Sequence, residues 1–197
     1  RAFNKNENIA NVLSESFCRG VLATGMAPII KHFPGHSGVI NDPHIDLPID
    51  YRSLHEILNN DISNFRNIKN YLYRGVMNCH VVFPCIDDKP ASLSDKILSF
   101  IRSELNFNGA IFSDDLMMGA LKSIGDPAQR VKMALSAGSD MVLLCNNQKE
   151  IDMVLESSIN YEKYYESLAR LSKTRIENKQ PIDLDILNGY RCLINNL

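Results

Sequence analysis

The 197-residue sequence lacks several features that would place it in a specialised class of protein. No apolar run approaches the roughly 20 residues that a membrane helix needs, so we expect no transmembrane segment. The formal net charge is only −2, which gives no electrostatic reason to expect a nucleic acid or an anionic membrane as partner. Low-complexity segments, short-period repeats and linkers are also missing, which favours one domain over residues 1–197.

Paired cysteine motifs are missing as well. The five cysteines are scattered, odd in number and without CxxC spacing: Cys18, Cys79, Cys85, Cys145 and Cys192. In a chain of this length they are typical of reduced, mostly buried thiols, and they favour a cytoplasmic location. The sequence begins with Arg1 instead of Met and soon enters a helical pattern. We therefore expect an N-terminal part to be missing.

Helical periodicity and capping residues occur along the whole sequence. Residues 7–23 form an amphipathic pattern after Asn6, a plausible N-cap, with Ile9, Leu13, Phe17 and Val21 on one stripe. Further helices are predicted over 53–73, in one or two pieces, over 94–106 after Ser94, from Asp126-Pro127 to Gly138, and over 148–197 with a break near Pro181.

Between the helical segments lie four short apolar runs, at residues 28–30, 76–82, 110–112 and 141–144, with a loop expected over 84–90. The runs are continuously apolar, as parallel strands covered on both faces should be. Their separation is that of βα units. Four such units predict an α/β fold that is half of a TIM (β/α)₈ barrel, and a doubly wound open sheet is the competing arrangement.

Polar side chains follow the apolar core of each predicted strand. They are Lys31-His32, His80, Asp114-Asp115 and Asn146. In a barrel these strand ends surround one mouth, which is where that fold keeps its active site.

The segment after the first strand is unusually rich in reactive side chains. Residues 31–38 read KHFPGHSG and residues 41–48 read NDPHIDLP, so three histidines, a lysine and two aspartates lie close together. The prolines and glycines exclude a regular helix, which predicts a shaped loop. We interpret Lys31, His32 and His44 as functional and His36 as a structural loop histidine.

A metal site is one alternative. His32, His36, His44 and Asp114 have side chains that can bind zinc, which would make the protein a metal-dependent hydrolase. However, HxxxH spacing brings two imidazoles together on a helix, and Pro34-Gly35 prevents a helix here. A second alternative is an inactive, truncated remnant of an enzyme.

Residues 113–119 read SDDLMMG at the end of the third predicted strand. Successive side chains of a strand point to opposite faces, so Asp114 and Asp115 cannot both face the mouth. We expect one of them to face the mouth and the other to bind nearby backbone. A simple helix-capping pair is the alternative.

Three of these motifs together resemble a known family. KHFPGH at 31–36, DxH at 42–44 and SDDLxM at 113–118 are similar to segments of the bacterial β-N-acetylglucosaminidases of glycoside hydrolase family 3, and the resemblance runs from Arg1 to Asn146. It implies a (β/α)₈ barrel that needs no cofactor or metal. It also implies a retaining enzyme that removes terminal N-acetylglucosamine from muropeptides in peptidoglycan recycling, through a covalent glycosyl-enzyme.

The resemblance implies roles for individual residues. Asp114 would be the nucleophile, His44 the acid/base and Asp42 its paired carboxylate, while Lys31, His32 and Arg1 would contact the sugar. Ser37 and Pro43 depart from the family pattern, which has Gly and Ser there. Pro43 restricts the backbone of Asp42, so the position of the acid/base pair is less secure than that of the nucleophile.

The resemblance covers the C-terminal half of the barrel, and the missing half would supply four more strands. Half of a barrel leaves strand edges and apolar faces open. We therefore expect the isolated chain to be unstable, to self-associate or to need the missing half.

Overall fold

A four-stranded parallel sheet forms the centre of the protein. The computed structural model describes residues 3–157 and 164–175. The sheet has the order β1-β2-β5-β6, and all three pairings are parallel. Its strands are β1 Ile29–Phe33, β2 Gly75–Asn78, β5 Ala110–Asp115 and β6 Met141–Leu143. A separate antiparallel hairpin consists of β3 Val82–Phe83 and β4 Asp87–Pro90.

Helical segments connect the parallel strands. The α-helices are α1 Glu7–Ala23, α2 Leu54–Glu56, α3 Ser63–Asn67, α4 Asp95–Glu104, α5 Pro127–Ala137, α6 Gln148–Glu156 and α7 Tyr164–Ser172. A π-helical segment, Ile57–Ile62, joins α2 to α3, and 3₁₀ turns lie at Asn70–Leu72, Ala91–Leu93 and Gly119–Leu121.

The strand order distinguishes the two predicted arrangements. The four parallel strands lie side by side in the order of the chain, whereas a doubly wound sheet reverses its strand order at a switch point. Among the described residues, β1 and β6 each pair on one side only. The sheet therefore has the arrangement of four consecutive βα units of a (β/α)₈ barrel, as predicted.

One row of aligned side chains shows how the sheet is covered by helices. Ile30, Val76 and Ile111 are in register across the first three strands, and all are buried. They share one apolar core with three residues of α4. These residues of α4 are Ile97, Leu98 and Ile101, and the structure buries all three.

Capping residues set the helix starts as the sequence predicted. The side chain of Asn6 accepts from the N–H of Ile9, that of Ser94 from Ile97, and that of Asp126 from Gln129. Each bond satisfies one of the N–H groups that the first turn of a helix leaves unpaired. These three helix starts are confirmed.

Four stretches differ from the prediction. The strand expected over 76–82 is interrupted, because β2 ends at Asn78 and β3 begins at Val82. Within the helix expected over 148–197, α6 already ends at Glu156. The helix expected over 53–73 begins at Leu54 but changes from α to π and back to α, and it ends at Asn67. The loop expected over 84–90 contains β4, whose Asp87 and Pro90 pair with Phe83 and Val82. The pairing partners are local, but the Pro-rich composition of the segment concealed the strand.

The surface of α1 also differs. Ile9, Leu13 and Phe17 of the predicted stripe are exposed, by 47%, 41% and 61% respectively, instead of packing into the core. Cys18 of the same helix is buried and makes the contact with the core. The amphipathic pattern therefore predicted the helix correctly and its packed face wrongly.

A buried carboxylate attaches the last described helix to the sheet. Asp140 accepts from the N–H of Ile111 at 2.8 Å and from the hydroxyl of Ser167 at 2.8 Å. Arg102 and Arg170 form ion pairs with it at 3.0 and 2.9 Å. A buried carboxylate is costly unless it is paired in this way, so these contacts fix α7 against β5.

The cysteines are less buried than expected. Cys18 and Cys79 are buried, Cys85 is exposed and Cys145 is intermediate, and all four are free thiols. Cys192 and the predicted break at Pro181 lie outside the described residues. None of the helices in the described part of the chain is long and apolar enough to cross a bilayer.

Candidate active site

The two adjacent aspartates at the end of β5 face different surroundings. Asp115 Oδ1 accepts from the backbone N–H groups of Met117 and Cys145, both at 3.0 Å. Asp114 Oδ2 instead lies 3.5 Å from Nε2 of His32, and the Asp114 side chain is 21% exposed. Alternation along the strand thus leaves Asp114 open to the mouth while Asp115 binds the backbone, as predicted.

The buried side chain of His80 supports this end of β5. It is fully buried, with Nε2 at 2.9 Å from the carbonyl oxygen of Asp115 and Nδ1 at 2.7 Å from the hydroxyl of Ser92. A carbonyl can only accept, so Nε2 donates and Nδ1 accepts. Burial lowers the pKa of His80. A neutral imidazole therefore holds the backbone next to Asp114.

His32 lies on β1 and its side chain approaches the carboxylate of Asp114. Its ring also meets the ring of His36 edge-on, with 6.2 Å between centroids. Burial is the largest influence and lowers the pKa of His32 to about 4, and the charge of Lys31 acts in the same direction while that of Asp114 opposes it. At neutral pH the imidazole of His32 is neutral and does not form a charged pair with Asp114.

The 41–46 loop carries a hydrogen-bonded histidine and aspartate. Nδ1 of His44 is 2.7 Å from Oδ1 of Asp42, and the same oxygen accepts from the backbone N–H of His44 at 2.9 Å. The carbonyl of Asp42 accepts from Ile45 and Asp46, which closes a turn with Pro43 at its second position. Proline is favoured there because its fixed φ suits the turn. Pro43 is compatible with the pair.

The 41–46 loop contacts the segment that follows β5. The N–H of Gly119 donates to the carbonyl of His44 at 3.2 Å, and the N–H of Ala120 donates to that of Pro43 at 2.9 Å. The side chains of His44 and Asp42 are 64% and 58% exposed. The loop that follows β1 is therefore bound to the 116–121 turn, which directly follows the two aspartates.

A buried charge network supports the other end of the loop. Arg52 contacts Asp50 at 2.7 Å and Asp61 at 2.8 Å, and both carboxylates are almost completely buried. The Ser37 hydroxyl donates to Asp61 Oδ1 at 2.6 Å. A Cβ at Gly35 would lie only 2.3 Å from the same oxygen. Ser37 therefore has a defined partner, and the loop packs directly on the network.

The metal alternative finds no support in the side-chain geometry. Within residues 3–157 and 164–175, no group of three or more His, Cys, Asp or Glu side chains is arranged to hold a metal ion. His32 approaches both Asp114 and His36, whereas the partner of His44 is Asp42. The four residues proposed as ligands do not form one cluster.

Comparison with known proteins identifies the family. Residues 1–179 match the glycosyl hydrolase family 3 N-terminal domain. The chain belongs to glycoside hydrolase family 3. It is similar to the β-hexosaminidase of Methylobacillus flagellatus, with 40% identity over 174 residues that make up 88% of this chain and 50% of that protein. It thus spans about half the length of the curated relatives it matches.

Solved structures of family 3 proteins have the same fold. The native NagZ structure from Neisseria gonorrhoeae matches with a TM-score of 0.76 and 31% identity, over 90% of this chain and 51% of that one. A family 3 β-N-acetylglucosaminidase from Paenibacillus sp. matches with a TM-score of 0.78 and 25% identity, over 89% and 36%. The predicted half of a TIM barrel is confirmed.

The structure brings most of the predicted site residues to one edge of the family 3 sheet. Lys31 and His32 lie on β1 and Asp114 lies on β5, with β2 between the two strands. The 41–46 loop with Asp42 and His44 contacts the turn after Asp114. Arg1 lies outside the described residues.

Sequence reasoning missed three supporting residues. His80 was noted only as a polar residue after a strand, although it binds the Asp115 carbonyl. Buried Arg130 donates to the carbonyls of Leu116, Ile124 and Gly125, which fixes the segment after β5. Gly119 was read only as the end of a motif. An arginine in an otherwise apolar helical stripe was the one available signal for Arg130.

We expect His32 to titrate near pH 4, well below the value of about 6.5 for an unperturbed histidine. Because its folded pKa is lowered, its contribution to stability is fully present above about pH 6.5 and is lost as the pH falls towards 4. NMR of the imidazole carbons against pH measures this midpoint. In Asp114→Asn, which removes the opposing charge, the midpoint falls further. A His32 midpoint near 6.5 in the folded protein would contradict the buried, neutral assignment.

Proposed function

We propose that this chain carries the catalytic groups of a retaining β-N-acetylglucosaminidase that removes terminal, non-reducing N-acetylglucosamine from peptidoglycan fragments. One observation carries the proposal. A hydrogen-bonded Asp42–His44 pair lies on a loop bound to the turn that directly follows Asp114. A carboxylate and a proton-transferring group close to each other are what hydrolysis with retention requires.

In this proposal Asp114 attacks the anomeric carbon and the bond to the leaving oxygen breaks. His44, in its protonated form, donates a proton from Nε2 to that oxygen, since its Nδ1 is engaged by Asp42. A water then attacks the glycosyl–Asp114 ester while His44 accepts its proton, which restores both groups. Histidine suits both steps because its ordinary pKa lies close to neutral pH.

Asp42 acts on His44 as the aspartate acts on the histidine of a serine-protease triad. It accepts from Nδ1 at 2.7 Å, selects the tautomer and stabilises the imidazolium. The backbone N–H of His44 donates to the same oxygen, so the carboxylate remains in place during the reaction.

The sugar would be held by groups around Asp114. In this proposal Lys31 and the neutral His32 hydrogen-bond sugar hydroxyls, and Arg1 contacts the sugar as well. A neutral imidazole can both donate to and accept from a hydroxyl. The substrate class is supported by the names of the family 3 relatives, one of which is a β-N-acetylglucosaminidase.

The open sheet indicates what the complete site would need. Four parallel strands cannot close a barrel, and the relatives are about twice as long as this chain. We propose that turnover requires four further βα units, supplied by the same polypeptide or by another one. We place this activity in the cytoplasm, where free thiols persist.

Hydrolysis of p-nitrophenyl N-acetylglucosaminide and of a muropeptide tests the proposal. The chain is assayed alone and fused behind the first four βα units of a family 3 relative. His44→Ala should lower the rate on the muropeptide by about 10²–10⁴-fold, the usual share of general acid–base catalysis. The loss should be smaller for p-nitrophenyl, which needs less protonation to leave.

His55→Ala is the matched control, because His55 is exposed and interacts with Asn59 within its own helical segment. It should keep the parent rate on both substrates. An unchanged muropeptide rate in His44→Ala would exclude His44 as the acid/base. Release of N-acetylglucosamine with inverted anomeric configuration would exclude the retaining mechanism.

A further inference from the structure

Several hydrogen bonds and buried side chains fix the 116–121 turn to the rest of the fold. Asp115 Oδ1 accepts from Met117, and the N–H of Leu116 donates to the carbonyl of Leu143 on β6. Arg130 donates to the carbonyl of Leu116 at 3.0 Å. The side chains of Leu116 and Leu121 are fully buried. The turn therefore moves with β5 and with Asp114.

The 41–46 loop has little packing of its own. Ile45 is 70% exposed, and the Asp42–His44 pair is exposed as well. What connects it to the 116–121 turn are the two backbone hydrogen bonds from Gly119 and Ala120. The internal structure of the loop comes from Asp42 and is independent of those two bonds. The loop could therefore stay folded while its position changes.

Residue 119 is the point of closest approach between the two segments. A Cβ on Gly119 would lie 2.3 Å from the carbonyl oxygen of His44 and 2.5 Å from that of Ile45. Cβ atoms in proteins essentially never come within 3.0 Å of a heavy atom outside their own and the two adjacent residues. The obstacles are backbone atoms, so no side-chain rotation can relieve the contact. Any residue larger than glycine must displace the loop.

We infer that Gly119 is a positioning residue. Because it has no side chain, the 41–46 loop, which carries the acid/base His44, can lie beside the nucleophile Asp114. The expected effect of Gly119 on catalysis rests on the proposed function. Its effect on the position of the 41–46 loop does not. Displacing the loop moves His44 without breaking its bond to Asp42. The expected defect is therefore a selective loss of proton transfer, with Asp114 still able to attack.

Gly119→Ala is compared with Gly20→Ala, a control on α1 where an added Cβ meets nothing within 4 Å. Hydrogen exchange of the Ala120 amide in the chain measures directly whether the 41–46 loop stays bound to the 116–121 turn. In Gly119→Ala we expect exchange to accelerate about fivefold or more, as the loss of one net hydrogen bond implies. Gly20→Ala should leave it unchanged. Retained protection of Ala120 would overturn the inference.

The activity arm uses N-acetylglucosaminides with a good leaving group, 2,4-dinitrophenol, and a poor one, phenol. Gly119→Ala should lower the rate on the phenyl glycoside by about 10²-fold, the scale of a 1 Å misplacement. It should nearly spare formation of the glycosyl-enzyme from the dinitrophenyl glycoside, and we expect the same of His44→Ala. Equal losses on both would overturn the inference, because they would place the defect at the nucleophile or in the fold.

Two further results separate the possible failures. If the parent sequence, fused behind the first four βα units of a family 3 relative, hydrolyses neither glycoside, the proposed function fails, while Ala120 exchange in the chain itself still decides whether Gly119 positions the loop. If Gly119→Ala does not fold, Ala120→Pro removes the N–H that binds Pro43 without adding a Cβ at 119, and proline is tolerated in a first helical turn. The same selective loss on the phenyl glycoside is then expected, and its absence would overturn the inference.

Discussion

Asp114→Ala is expected to abolish hydrolysis of N-acetylglucosaminides, with a fall of about 10⁴-fold or more, as when other covalent enzymes lose their nucleophile. The reason is specific to this site. Asp114 Oδ2 faces His32 at the mouth, whereas Oδ1 of its neighbour Asp115 binds two backbone N–H groups. The carboxylate of Asp115 therefore cannot replace that of Asp114 without giving up those bonds.

Covalent trapping tests this assignment directly. A fluorinated N-acetylglucosaminyl donor with a good leaving group should leave a glycosyl adduct on the peptide that contains Asp114, located by tandem mass spectrometry. Asp114→Ala should give no adduct. Asp115→Ala should still give it on Asp114, with a stability loss of about 1–3 kcal/mol from the unsatisfied backbone groups. An adduct on Asp115 in the parent protein would reverse the assignment.

Local signals made much of the fold predictable. The caps at Asn6, Ser94 and Asp126 depend on side chains within three residues of the N–H groups they bind, so the sequence alone indicates them. The divergence of Asp114 and Asp115 also follows from strand geometry alone. Four apolar runs at βα spacing predicted four parallel βα units, and the observed strand order distinguishes half of a barrel from a doubly wound sheet.

Other features depended on contacts that are distant in the sequence. The partners of His80 are 12 and 35 residues away, and the loop carbonyl that Gly119 binds belongs to His44. Nothing local to these residues indicates such partners. The exposed stripe of α1 has a similar cause, since periodicity gives an apolar face but not the element that covers it.

The two departures from the family pattern are explained by the structure. Pro43 occupies the second position of the turn that Asp42 begins, where its missing N–H is not needed. Ser37 gains a hydrogen bond to Asp61 that a glycine could not make. Both substitutions are thus accommodated by the 41–46 loop and its support, and the Asp42–His44 bond remains intact.

That support leads to the largest stability effect that we expect. Replacing Arg52 with Met leaves Asp50 and Asp61, whose side chains are only 2% and 3% exposed, without their cation. Breaking a buried ion pair by removing one partner costs about 3–5 kcal/mol. Urea unfolding at pH 7 measures the change. Arg66→Ala is the control, since the side chains of its pair with Glu104 are 37% and 30% exposed and the pair should contribute at most about 1 kcal/mol.

The stability lost in Arg52→Met should depend on pH, which the loss of packing alone would not produce. Burial alone raises the pKa of Asp50, but the hydrogen bonds and charge of Arg52 outweigh it, and the pKa is lowered. In the parent protein this contribution is present above the unfolded pKa of about 3.9 and is lost as the pH falls through the lowered value. Arg52→Met removes the guanidinium and leaves only the backbone N–H of residue 52 as a donor to Asp50. Burial then outweighs that single bond, so the pKa of Asp50 rises and protonation relieves the folded state.

The stability gap between parent and Arg52→Met should therefore narrow as the pH falls from 7 towards 4. Adding Asp50→Asn and Asp61→Asn to Arg52→Met removes the buried charges together and should recover part of the loss at pH 7. A gap that is independent of pH, with no recovery in the triple variant, would show that Arg52 acts by filling space. The loop that carries His44 would then be supported by packing instead of by charge.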